Sequence, residues 1–136
     1  MVLDSSAILA ILLDEPERAD FARRIEQDQT RLVSAATLVE VTIVIESRKG
    51  EPGRRLLRLF LQLTAAEIAP VTAEQAEHAC DAFRRYGKGR HAAGLNFGDV
   101  FAYALARTTG EPLLFKGNDF ARTDITSAAW PGPEAG

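Results

Sequence analysis

A chain of 136 residues that is 46% hydrophobic and 26% charged has the make-up of one folded domain, which excludes disorder along its whole length. The net charge of −3 excludes the strong basic excess of a general nucleic-acid coat, and a lone cysteine, Cys80, excludes an intrachain disulfide. No apolar run reaches the roughly 18 residues of a membrane helix, and no basic-then-apolar leader opens the chain; a cytoplasmic protein without membrane association is expected.

In chain order, MVL is a short apolar run ending at Asp4 and reads as a buried strand. Ser5 and Ser6 can cap the helix that follows, AILAILLDE. Residues 16–28 open with Pro16 and acids, as helix N-termini do, and Ala19, Phe21, Ala22 and Ile25 form a modest apolar stripe. RLVSA (31–35) is a second strand. Residues 37–48, TLVEVTIVIESR, are rich in β-branched side chains, so a strand competes; their length and the Lys49-Gly50 exit predict a helix. EPGRRLLRLFLQLTA is an amphipathic helix, with Arg54, Arg55 and Arg58 opposite a Leu/Phe face. EIAPV (67–71) is a third strand, and TAEQAEHACDAFRRY a helix opened by a Thr72–Gln75 capping box. GKGRHAAG (87–94) reads as a flexible basic loop, and LNFGDVFAYALA starts another helix. PLLF (112–115) is a fourth strand, KGNDF a turn, and DITSAAW holds a last short strand. Strands that alternate with helices predict a parallel sheet covered on both faces, an α/β sandwich. One domain is expected over 1–130, with a flexible tail at 131–136.

Four acids fall at corners of this pattern. Asp4 ends strand one, Glu40 opens the helix after strand two, Asp99 opens a late helix and Asp119 follows strand four. In a parallel sheet such corners lie on the edge where ligands bind. Carboxylates crowded together repel one another unless some are protonated or a cation joins them. Oxygen ligands without a His or Cys cluster suit Mg²⁺ or Mn²⁺. Each acid also has a purely structural reading. Asp4 can cap a helix, Glu40 can complete a box from Thr37 and Asp99 one from Asn96, and Asp119 can brace a turn. The two readings are compatible, because a helix N-terminus keeps a carboxylate ionised. Asp14, Glu15 and Glu17 read as a solvated helix start, Glu77 and Asp81 as water-facing, and Asp124 as a peripheral candidate beside the quartet.

VLDSSAILAIL, the acid Glu40 after a strand, YGKGRHAAGLNFGDVFAYALA and LLFKGNDF together resemble the PIN-domain family, and more narrowly the VapC-type toxins of bacterial toxin–antitoxin systems. The resemblance implies a three-layer α/β/α sandwich with a central, mainly parallel sheet. It implies that Asp4, Glu40, Asp99 and Asp119 bind a divalent metal, with Asp4 and Asp99 as direct ligands and Ser5 or Ser6 and Asn118 assisting by hydrogen bonds. The implied activity is that of a Mg²⁺-dependent endoribonuclease, Mn²⁺ being a substitute, with an RNA substrate, a cognate antitoxin and a homodimeric state. Metal-activated water would attack phosphorus and leave a 5′-phosphate and a 3′-hydroxyl. The chain has no Ser-His-Asp or Cys-His arrangement and no phosphate-binding G-x-x-x-x-G-K-[ST] loop. Two alternatives stand beside this reading: a non-catalytic PIN-like module that binds RNA or protein, and another Mg²⁺ enzyme with an aspartyl nucleophile. The second usually carries an acid two residues after the nucleophile, where this chain has Ser6.

Arg84, Arg85, Lys88, Arg90 and His91 form the densest basic cluster, and Lys116 lies just before Asp119. They read as candidates to hold RNA phosphates, or else as a solvated loop with cations at a helix C-terminus. The apolar residues from Leu56 to Leu63 exceed one stripe, so core packing, an antitoxin or a second subunit can claim them. Trp130 fits core or interface.

Overall fold

The computed structural model describes residues 1–128. Trp130 and the tail expected at 131–136 lie outside the described residues. The elements are β1 (Val2–Leu3), α1 (Ser5–Leu12), α2 (Arg18–Gln27), β2 (Leu32–Ser34), α3 (Ala35–Thr64), β3 (Glu67–Ala69), α4 (Ala73–Tyr86), α5 (Asp99–Thr109) and β4 (Leu113–Leu114), followed by a 3-10 turn at Phe120–Arg122. The strands form one parallel sheet in the order β3-β2-β1-β4. The strand expected within DITSAAW reduces, among the described residues, to a parallel bridge from Ser127 to Leu113 on the open side of β4.

Two-residue periodicity in the strands divides the core. Leu3, Val33 and Leu114 point to one face and pack with Ile8, Ile25, Val41, Ile45 and Phe60 from α1, α2 and α3. Val2 and Leu113 point to the other and pack with Ala79, Ala82, Leu95, Val100 and Leu105 from α4, α5 and the loop between them. This is the α/β/α sandwich expected. Leu3 and Leu114 are fully buried, and each such side chain contributes roughly 1.5–3 kcal/mol.

Several local expectations change. The helix after β2 begins at Ala35, because Ser34 caps it: the Ser34 hydroxyl accepts from the Ala36 N–H at 3.3 Å. Thr37, the cap expected from T-L-V-E, is buried inside the helix, so Glu40 belongs to the second turn and not to a capping box. The two helices expected on either side of Gly50 follow one another without a linker. Gly50 breaks the helical geometry with φ 62° and ψ −145°, in the left-handed region that favours glycine. Gly53 then lies directly against Ile45; a Cβ there would sit 2.7 Å from the Ile45 carbonyl oxygen.

The segment 87–94 is pinned, where a flexible loop was expected. Lys88 N–H donates to Leu95 O at 2.8 Å, Leu95 N–H donates to Tyr86 O at 2.9 Å, and Arg122 reaches the Ala92 carbonyl at 3.1 Å. Ala93 and Leu95 are buried. The Thr72 cap of α4 holds as read, with Gln75 N–H donating to Thr72 Oγ1 at 3.1 Å. Among the described residues, no helix is long and apolar enough to cross a membrane.

Candidate active site

The carboxyl ends of β1, β2 and β4 and the start of α5 converge on one edge of the sheet. Asp4, at the exit of β1, is buried and caps α1. Its Oδ2 accepts from the Ser6 N–H at 3.0 Å and from the Ser6 hydroxyl at 2.6 Å. Its Oδ1 is buried without a hydrogen-bond partner. Ser6 in turn accepts from the Lys116 N–H at 2.9 Å, which ties the start of α1 to the segment after β4.

Glu40 is half-buried, and its Oε1 also lacks a partner. Gly98, the N-cap of α5, packs on this carboxylate so tightly that a Cβ would collide with it. Asp99 follows as the first residue of α5. Its Oδ2 accepts from the Asn96 N–H at 3.0 Å, while Asn96 Oδ1 accepts from the Asp99 N–H at 2.9 Å. The reciprocal box expected from N-F-G-D is therefore present, and it uses only one carboxylate oxygen of Asp99. Asp119 is exposed at the N-cap of the 3-10 turn, with no side-chain capping bond of its own.

The acids act on one another through their charge. Burial pushes the Asp4 carboxyl up to about 7; the bonds from Ser6 oppose this, and the charges of Asp99 and Glu40 add to it. Burial first, and then the charges of Asp119 and Glu40, raise Asp99 to about 6 against the opposing Asn96 bond. Each of the four acids is thus within electrostatic reach of at least one other, and Asp99 is linked to both Glu40 and Asp119. Among the described residues, no three His, Cys, Asp or Glu side chains are grouped tightly enough to hold a metal ion as they stand. The quartet is a coupled set of anions and not a closed ligand cage. Its donor chemistry fits a hard divalent cation nonetheless. All its atoms are carboxylate oxygens, two of them buried without partners, in a cluster whose mutual repulsion a cation would relieve.

The remaining expected site residues are distributed as follows. Ser6, and not its neighbour Ser5, bonds Asp4; Ser5 is buried in the first turn of α1. Asn118 is exposed beside Asp119. Lys116 is engaged by Glu15 at 2.9 Å and Glu17 at 3.5 Å, two acids read from sequence as merely solvated. Arg84 pairs with Asp81 at 3.8 Å, Arg85 donates to the Tyr86 hydroxyl at 3.0 Å, and Arg90 lies 5.7 Å from the Phe83 ring centre. His91 Nδ1 accepts from the Ala93 N–H at 3.0 Å. Lys88 is exposed and its ammonium has no ion pair among the described residues.

Asp124 does not join the quartet. Its carboxylate accepts from the Tyr103 hydroxyl at 2.6 Å and from Arg107 at 2.8 Å, with Arg85 at 3.9 Å. Burial opposes its ionisation, but Tyr103, Arg107 and Arg85 outweigh this and hold it below the usual carboxylate range. Gly98 escaped the sequence reading as a site residue; the signal available was a glycine immediately before an acid that opens a helix.

An apolar groove of about 550 Å³ between α4 and α5, lined by Ala76, Cys80, Phe83, Phe97 and Phe101, contains none of the four acids. A smaller one of about 270 Å³, lined by Val39, Ile43, Phe97 and Gly98, reaches Glu40.

An α/β/α sandwich with acids gathered at the carboxyl edge of a parallel sheet defines a class, and comparison with known proteins gives it a family. The PIN domain profile matches residues 1–125, so the chain belongs to the PIN-domain family. Within that family it groups with the VapC proteins. It is 52% identical over 131 residues to Ribonuclease VapC30 of Mycobacterium tuberculosis, covering 96% of this chain and 100% of that one. It is 51% identical to Ribonuclease VapC of Mycolicibacterium smegmatis, covering 93% and 98%. Among solved structures it resembles M. tuberculosis VapC20, described as a toxin that cleaves the sarcin-ricin loop. The TM-score is 0.77 at 17% identity, with 95% and 98% of the two chains covered. It also resembles Rickettsia felis VapBC2, solved bound to a promoter DNA fragment, with a TM-score of 0.75 at 15% identity and 93% and 94% covered. At these identities the solved structures speak to the fold.

Proposed function

We propose that this chain is a metal-dependent endoribonuclease and the toxin half of a toxin–antitoxin pair. The observation that carries the reading is the pair of buried, unpartnered carboxylate oxygens, Asp4 Oδ1 and Glu40 Oε1, within an acidic quartet at the sheet edge. Relatives named as ribonucleases, at half identity over nearly the whole chain, support it. Asp4 and Asp99 would hold Mg²⁺, or Mn²⁺ in its place, with Glu40 and Asp119 completing the charge. A divalent cation there supplies Lewis acidity, lowering the pKa of water and offsetting charge that develops on the phosphate.

The chain's own residues do the rest. Ser6 fixes the orientation of Asp4 by holding one oxygen and leaving the other bare. Asn96 fixes Asp99 in the same manner at the start of α5. Gly98 allows Glu40 to approach the α5 terminus. Arg84, Arg85, Lys88, Arg90 and His91 are the candidates for the RNA backbone; Lys88 is the most available, and the others would have to exchange weak surface contacts for phosphate. Asn118 would line the rim. The partners proposed are an RNA substrate in the cytoplasm, a cognate antitoxin and a second copy of the chain. The exposure of Val39, Ile43 and Phe97, at 58%, 61% and 78%, supports a protein partner. Two solved structures of this fold, Rickettsia felis VapBC2 and a toxin–antitoxin complex from Klebsiella pneumoniae, support an antitoxin.

The test is cleavage of total RNA by purified protein, with 5′ ends mapped. Cleavage that needs Mg²⁺, stops with EDTA and is lost in Asp99→Asn is the expected result. Equal cleavage by Asp99→Asn, or cleavage indifferent to EDTA, would refute the site.

A further inference from the structure

We propose that Lys116 is a positioning residue of the cation site and not a contact for RNA phosphate. The inference rests on the metal-site reading above and concerns what holds Asp4 in place.

Lys116 grips both ends of α1. Its backbone N–H donates to Ser6 Oγ at 2.9 Å, in the first turn of that helix. Its ammonium reaches Glu15 at 2.9 Å and Glu17 at 3.5 Å, just past the helix's other end. That corner is itself fixed: Asp14 has φ 53°, and the Glu15 N–H donates to Ala10 O at 2.8 Å. The backbone contact has a chemical consequence. A serine hydroxyl carries one proton. With an N–H occupying a lone pair of Ser6 Oγ, the hydroxyl proton is directed to Asp4 Oδ2, 2.6 Å away. Asp4 Oδ2 then has two donors from Ser6, and Oδ1 is left buried and bare, oriented for a cation. Immediately after Lys116, Gly117 turns the chain with φ 93° toward Asn118 and Asp119. The Glu15–Lys116–Glu17 ion pair therefore anchors the segment that both orients Asp4 and delivers Asp119.

A phosphate contact is the rival use of this side chain, and the two roles differ in sign. An ammonium already bonded to two carboxylates must leave them to bind phosphate. If it does so, Glu15→Gln frees it and RNA binds more tightly. If Lys116 instead positions the site, Lys116→Met weakens metal binding. Simple electrostatics predicts the opposite for Lys116→Met, because removing a cation beside an anionic site favours Mn²⁺.

The experiment is a Mn²⁺ titration of the full chain without RNA, on wild type, Lys116→Met, Lys116→Arg, Glu15→Gln/Glu17→Gln and Asp4→Asn, with metal-free melting recorded for each. The expected result is a Kd raised roughly 3- to 10-fold in Lys116→Met and in the double variant, below the 10- to 100-fold typical of direct outer-shell partners. Lys116→Arg should restore near-wild-type affinity, and the metal-free melting curves of the Lys116 and Glu15/Glu17 variants should stay close to that of the wild type. An unchanged or tighter Kd in Lys116→Met overturns the positioning role alone, as does tighter RNA binding by Glu15→Gln/Glu17→Gln than by wild type in a parallel RNA titration. Failure of the wild type to bind Mn²⁺, or equal binding by Asp4→Asn, overturns the metal site and this inference with it.

Discussion

Two groups of aspartates in this molecule meet opposite fates. Asp124 is surrounded by Tyr103, Arg107 and Arg85; its oxygens are bonded and its carboxyl is held below the usual range. Burial, and to a smaller degree the neighbouring acids, push the Asp4 and Asp99 carboxyls up to about 7 and about 6, and Asp4 keeps a buried oxygen with no partner. The same side chain stabilises the fold in one setting and stores repulsion in the other. A carboxylate that has found its donors serves structure. A set of carboxylates that crowd one another at a sheet edge suits the cation proposed above.

The comparison breaks most sharply under amide substitution. Asp4→Asn should reduce RNA cleavage by more than the ~100-fold seen for outer-shell partners, while the melting temperature holds or rises because a repelled buried acid is gone. Asp124→Asn should do the reverse: a loss of about 1–3 kcal/mol in denaturant unfolding, from weakening its bonds to Tyr103 and Arg107, with cleavage by the folded protein retained. If both variants behave alike, the two groups are not distinct. Gly98→Ala probes the quartet without touching an acid. The residue has φ −68°, so alanine fits the backbone, but its Cβ must displace the Glu40 carboxylate. Mn²⁺ affinity should fall roughly 10-fold, the smaller of the losses seen when a residue that orients a metal-binding side chain is changed, with little change in melting. The smallest effect is expected in the basic loop. Lys88→Ala should lower the slope of log RNA affinity against log salt by about 0.7, the value for one phosphate contact on a single strand.

The sheet, its helix layers and the four acidic corners were legible because they depend on local signals. Short apolar runs gave the strands, and acids soon after β1, β2 and β4 gave the edge. The break at Gly50 was legible for the same reason, since glycine next to Glu51-Pro52 interrupts any helix. What escaped was tertiary. Ser34 and Thr37 are equally good caps by type, and only the position of β2 decides for Ser34. Residues 87–94 look loose in sequence, yet Leu95, Tyr86 and Arg122 tie them down from outside the segment. Glu15 and Lys116 are separated by 101 positions, and nothing in either neighbourhood announces that they meet. Tyr103 and Asp124 pair across 21 positions in the same way, which is why Asp124 looked like a peripheral ligand.

The burial of Asp4 and Asp99, with the repulsion of their acidic neighbours added to it, has a signature in stability, and it is the most direct measurement. Asp4 and Asp99 hold their protons to higher pH in the folded chain than at the ordinary value of 3.8. Below that value both states are protonated and nothing is lost. As pH rises from 3.8 toward about 6 and about 7, the unfolded chain ionises while the folded acids keep their protons, so folding becomes less favourable, and above these values the loss levels off. Melting of the metal-free protein across this range, compared with Asp4→Asn and repeated with Mg²⁺, isolates the effect from other titrating groups. The expected result is a melting temperature that falls with pH relative to Asp4→Asn and recovers when Mg²⁺ is added. A wild type that tracks Asp4→Asn at every pH, or that gains nothing from Mg²⁺, would contradict a cation site built from these four acids.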